Sequence, residues 1–169
     1  MPKIIENVRA QLLSEAKKQI TEQGYKNTTI RSVATACGIA TGTVYNYFKS
    51  KDMLIASFIL EDWLECIESI SSQPKESHRK YLENIHFSLK KFEKKYNALF
   101  SDEEAKIVFN TAFSERHIQL RSQLASLILP ICCGEDLFLA EFVAESLLCW
   151  TMAGKKFDEI YSFLPEQIK

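Results

Sequence analysis

At 169 residues, 46% apolar and 25% charged, the chain has the size of one compact domain, or of a small module joined to a larger helical one. Five glycines and four prolines are too few for the turns of a sheet-rich fold. No charge-free apolar run reaches the roughly 18 to 20 residues of a membrane span, and the opening M-P-K-I-I-E-N-V-R lacks a signal-peptide core, so an all-α, cytoplasmic protein without a membrane partner is expected.

Ile5, Val8, Leu12, Ala16 and Ile20 recur every three or four residues and predict an amphipathic helix over 4–23, stopped at Gly24. Thr28 or Thr29 can cap a second helix over 29–36, and Gly38 permits a tight turn into a third over 40–48. Ser50 is a natural N-cap for a long fourth helix, carried by Met53, Leu54, Phe58, Ile59, Trp63, Ile67 and Ile70 to residue 71, before a break around Pro74. Tyr81, Leu82, Ile85, Leu89 and Phe92 support a helix to about residue 95. Two or three further helices fit 102–131, with a stop between Pro130 and Gly134. The segment D-L-F-L-A-E-F-V-A-E-S-L-L-C-W-T-M-A-G is apolar almost all round, which predicts burial on several sides, as a core helix or against another subunit. A short helix through Phe157, Ile160, Tyr161 and Leu164 closes the chain.

The net charge of −1 conceals a division. Residues 1–51 carry eight Lys/Arg against three acids, and the remainder 13 against 19, so attraction for phosphate is concentrated at the N-terminal end. There the third helix is small at its start (Ala40, Thr41, Gly42, Thr43), letting backbone approach a phosphate, and then presents Tyr45, Asn46 and Tyr47. Two short helices around a glycine turn, the second bearing hydroxyls, aromatics and an amide, have the layout of a reader of the DNA major groove. Val44 and Phe48 are expected to brace it from the core side.

The stretch from Arg9 to Leu54 resembles the N-terminal helix-turn-helix domain of the TetR family of transcriptional regulators. Ala16, Gly24-Tyr25, Thr28-Thr29, Val33-Ala34, Gly38, Gly42-Thr43, Tyr45, Phe48 and Ser50-Lys51 stand in family order and spacing. The resemblance implies a DNA-binding domain over 1–50 and a helical dimerisation and effector-binding bundle over 51–169. It implies a homodimer on double-stranded, palindromic operator DNA, most simply a repressor released by a small apolar or aromatic effector. Carried onto this sequence, Thr29 and Arg31 are similar to phosphate contacts, with Arg31 able to reach a base edge. Thr41, Gly42 and Thr43 would lie at the major groove, Tyr45, Tyr47 and Lys51 at phosphates, and Asn46 at an adenine. Ala40 stands where the family often has a capping serine, at a cost of about 1 kcal/mol.

Other readings compete. The five cysteines lack a CxxC spacing and read as reduced thiols, although Cys132-Cys133 could form a thiol or metal sensor. Glu83-x-x-His86 has the spacing of a di-iron helix, but Glu115-Arg116-His117 supplies no second copy, so no metal, cofactor or catalytic residue is expected and the chain does not read as an enzyme. Aromatic side chains are plentiful, and Trp63, His86, Phe109, Phe113 and Trp150 are candidates for lining an effector pocket. A helical protein-interaction factor that uses DNA only as a scaffold is the remaining alternative.

Overall fold

A computed structural model describes residues 7–75 and 77–169, apart from the side chains of residue 100 and of residues 107–116. The described residues are helical throughout, in the order α1 (Val8–Asn27), α2 (Ile30–Cys37), α3 (Thr41–Tyr47), α4 (Lys51–Ser71), α5 (His78–Ser101), α6 (Glu103–Ile128), α7 (Leu137–Met152) and α8 (Phe157–Ser162). They form two compact units: residues 7–62 with 98–109, and residues 63–75 and 77–97 with 110–169.

In the first unit the helix ends follow local chemistry. Gly24 takes φ 78°, ψ 176°, which breaks α1 where the sequence places a stop, and one further turn carries the chain to Asn27. Thr29 caps α2 through a reciprocal pair: Ser32 N–H donates to Thr29 Oγ1 at 2.9 Å, and Thr29 N–H donates to Ser32 Oγ at 3.0 Å. Gly38 ends α2 in the left-handed region at φ 68°, and the N–H of Ile39 returns to the Ala34 carbonyl at 2.9 Å. Ser50 Oγ accepts from Met53 N–H and opens α4. Leu12, Leu13, Ala16 and Ile20 of α1, Val33 and Ala34 of α2, Val44 of α3 and Leu54, Ile55 and Phe58 of α4 supply the core.

In the second unit, Trp63 stands edge-on to Phe92 at 5.5 Å, and its indole N–H donates to Gln123 Oε1 at 2.7 Å, which ties α4 to α5 and α6. Tyr81 Oη donates to the Leu127 carbonyl, and His86 Nε2 lies 3.0 Å from the Lys155 carbonyl.

Two expectations are corrected. Residues 103–128 form one helix rather than two or three, because no glycine or proline interrupts the stretch from Asp102 to Leu129, and Asp102 caps its start by accepting from Ala105 N–H. Helix α5 continues past residue 95 to Ser101, because Tyr96 and Leu99 prolong its buried stripe. The α7 segment is buried on one side, through Ala140, Val143, Ala144, Leu147 and Leu148. Its other side leaves Phe138 77%, Phe142 44% and Trp150 53% exposed in the single chain.

Thr29→Ala removes an N-cap and should lower the unfolding free energy by about 1 kcal/mol in urea denaturation, while Thr29→Ser leaves it unchanged. Equal stability of the alanine variant would show that the reciprocal cap contributes nothing.

Candidate nucleic-acid interface

Helix α3 has seven residues, too few to hold together alone in water. It forms because Val44 and Phe48 are buried on one side. Phe48 lies beneath the Arg9 guanidinium, 5.7 Å from the ring centre, and Arg9 is paired with Glu61 of α4. With that face committed, the opposite one carries Tyr45 and Tyr47, 46% and 45% exposed, with Asn46 and Gly42 also exposed and Thr41 and Thr43 half-buried. Ala40 caps the helix without a side-chain hydrogen bond, so the first N–H groups of α3 have no side-chain acceptor from their cap.

Helix α2 is set by Gln19, a buried amide on α1 that takes part in three hydrogen bonds. Its Oε1 accepts from Ser32 Oγ at 2.6 Å and from Gln23 Nε2 at 3.1 Å, and its Nε2 donates to Glu15 at 2.8 Å. This fixes the cap at which Thr29 and Arg31 both lie exposed. Neither the Gln19 link nor the next one is visible in local spacing, since each joins residues far apart in the chain.

Lys51 is doubly held. Its ammonium donates to the Tyr25 carbonyl at 3.0 Å and lies 3.6 Å from the Tyr25 ring centre, while Tyr25 Oη donates to Asp52. Lys51 therefore fastens α4 to the end of α1, and an ammonium has donors to spare for a phosphate. Burial, the hydrogen bond to Asp52 and the charges of Asp52, Glu104 and Asp102 all push the Tyr25 hydroxyl well above the usual tyrosine range.

Lys17 is also committed, to buried Asp62 at 2.7 Å. Lys18, Lys26, Arg31 and Lys49 are exposed and supply positive potential around the helix pair.

The remaining candidates lie in different settings. Trp63 and His86 are buried with the partners given above, and the side chains of Phe109 and Phe113 lie outside the described residues. Trp150 lines a groove of about 350 Å³ with Phe142, Lys155, Glu159, Ile160 and Leu164. Cys132 is buried and donates to Ile128 O, whereas Cys133 is exposed and donates to Gln167 O, so the two adjacent thiols point to different surroundings.

A seven-residue helix anchored on one side, open on the other and joined through a glycine turn to a capped partner helix defines a helix-turn-helix DNA-binding domain. Residues 12–58 match the family described as "Bacterial regulatory proteins, tetR family".

The chain is 43% identical over 54 residues to the HTH-type transcriptional regulator HbdR of Aromatoleum sp., covering 32% of this chain and 24% of that one. It is 27% identical over 123 residues to the fatty acid metabolism regulator protein of Bacillus subtilis, covering 70% and 59%. The matched parts thus span less than two thirds of these relatives. Its fold is that of the fatty acid degradation regulator FadR of Bacillus halodurans, with a TM-score of 0.55, 21% identity and coverage of 92% and 93%. Among the described residues no helix is long and apolar enough to cross a membrane.

The Tyr25 hydroxyl gives a prediction at alkaline pH. The folded chain keeps its proton after the unfolded chain has released it near the ordinary tyrosine value of 10.0. The stabilisation is complete below that pH and declines as pH rises above it. Tyr25→Phe should be less stable than the parent at pH 7, and the difference should shrink in denaturation curves above pH 10. A constant difference across that range would contradict the assignment.

Proposed function

We propose that the chain is a transcriptional repressor that binds a palindromic operator as a homodimer and is released by a small apolar effector. The observation that carries this reading is the two-faced character of α3: Val44 and Phe48 are committed to the core, while Tyr45, Asn46 and Tyr47 share the outer face with the small residues of the helix start. The N-terminal end of α3 enters the major groove, with Thr41, Gly42 and Thr43 at base edges and Asn46 pairing with an adenine. Tyr45, Tyr47, Thr29, Arg31 and Lys51 hold phosphates, which fixes the register without reading sequence.

The homodimer is supported by α7, where Leu137, Phe138, Phe142 and Trp150 form an exposed apolar surface of the kind that a second copy covers. The groove beside α8 shares Phe142 and Trp150 with that surface, so it is assigned to the interface rather than to an effector. For the effector, the acyl class comes first, because the Bacillus subtilis relative is named for fatty acid metabolism. The effector-binding and dimerisation region is placed in residues 51–169 and the operator-binding region in residues 1–50.

Anisotropy titrations on labelled duplexes over a range of salt test the reader. Tyr47→Ala and Lys51→Ala should weaken binding to all duplexes about equally and lower the slope of log K against log salt by about one each. Folding of the Lys51 variant is checked in parallel, since its ammonium also holds Tyr25. Thr43→Ala and Asn46→Ala should instead change base preference, by about 1–3 kcal/mol per contact. Unchanged binding in all four overturns the reading.

Sedimentation should show two chains in the parent and one in the doubly substituted Phe138→Asp, Phe142→Asp protein. A monomeric parent rejects the homodimer.

A further inference from the structure

Helices α6 and α7 bring together three side chains that operator binding does not use. Glu145 and Cys149 stand four residues apart on α7, hence on one face, and His117 of α6 meets them. His117 Nε2 lies 2.9 and 2.8 Å from the two carboxylate oxygens of Glu145, and Cys149 Sγ donates to Glu145 Oε1 at 3.1 Å. One donor atom from each residue lies within 4.8 Å of the other two, and all three side chains are partly open to solvent. Among the described residues this is the group of three or more potential metal ligands that converges.

An ion pair between His117 and Glu145 would by itself hold α6 against α7. The thiol is not needed for that, yet its sulfur is aimed at an oxygen the imidazole already engages. An imidazole nitrogen, a carboxylate oxygen and a thiol sulfur on one point are the mixed donor set of a borderline-soft divalent ion. Mg²⁺ and Ca²⁺ take oxygen alone.

We propose that His117, Glu145 and Cys149 form a three-donor site for Zn²⁺, with a fourth position open to water. Tetrahedral zinc holds neighbouring donors about 3.4 Å apart at bond lengths of about 2.0–2.3 Å. The two hydrogen-bonded pairs would have to part slightly and the third, His117 with Cys149, to close to that spacing from within 4.8 Å.

Arg121, one turn along α6, adds its charge to that of His117 in acting on Glu145. Coordination takes the Cys149 sulfur as thiolate, so its proton is released to solvent when the ion binds.

The site is tested on the full chain, reduced and metal-free, without DNA, so that the outcome is independent of the operator reading. Competition with a chromophoric chelator should show one Zn²⁺ per chain, and Co²⁺ in its place should give a sulfur-to-metal charge-transfer band. Cys149→Ser and His117→Gln should each weaken zinc by more than the roughly 10- to 100-fold that loss of an outer-shell partner costs. Cys133→Ser, which removes the other exposed thiol, should leave affinity unchanged. The cobalt spectrum of the unsubstituted chain stands whether or not the variants fold. Absence of stoichiometric zinc, cobalt without a sulfur band, or full affinity in Cys149→Ser overturns the proposal.

Discussion

A helix of seven residues has no independent existence in water, because nucleation fixes several residues before hydrogen bonds repay the loss of freedom. For α3 the deficit is met by its neighbours, through the burial of Val44 and Phe48 and through the Gly38 turn that delivers the chain at a set angle. That dependence also fixes what α3 offers outward. Once the positions of Val44 and Phe48 face inward, the 3.6-residue period leaves Tyr45, Asn46 and Tyr47 facing water together. Stability of the first unit and presentation of the reading surface are therefore one constraint.

The supports beneath that surface are polar as well as apolar. Gln19 holds the α2 cap through Ser32, and Lys51 with Asp52 grips both ends of Tyr25, its carbonyl and its hydroxyl. Both arrangements join α1 to a later helix, so α1 acts as the brace on which α2 and α4 are positioned. Electrostatics divides along the same line. Arg9 and Lys17 are paired with Glu61 and Asp62 and contribute to cohesion, whereas Lys18, Lys26, Arg31 and Lys49 are exposed and direct their field outward.

Much of the first unit was legible in the sequence because its signals are local. Gly24, Thr29, Gly38 and Ser50 mark helix ends by conformational freedom or capping chemistry, and each acts there in the structure. The length of α6 was harder to read. Its composition lacks a clean amphipathic stripe, so periodicity suggested several helices where the absence of glycine and proline permits one. Apolar composition of α7 predicted burial on several sides, but composition cannot say which sides a single chain covers, and Phe138, Phe142 and Trp150 are left outside. Least legible were the side-chain clusters. Gln19 with Ser32, Tyr25 with Asp52 and His117 with Glu145 are joined across 13, 27 and 28 residues, and only the tertiary arrangement brings them into contact. The cysteine signal shows the same limit. Adjacent Cys132 and Cys133 diverge in space, while Cys149 bonds to Glu145 on its own helix, which in turn meets His117 on α6.

The measurement that bears most directly on α3 as a reader of sequence is selection from random duplex DNA by the purified chain at fixed, near-physiological salt. A dimeric reader should enrich a palindrome whose half-sites are separated by a whole number of helical turns, about 10 base pairs or a multiple. Salt-sensitive binding without enrichment of any sequence would contradict it, because phosphate attraction alone would then explain the basic head.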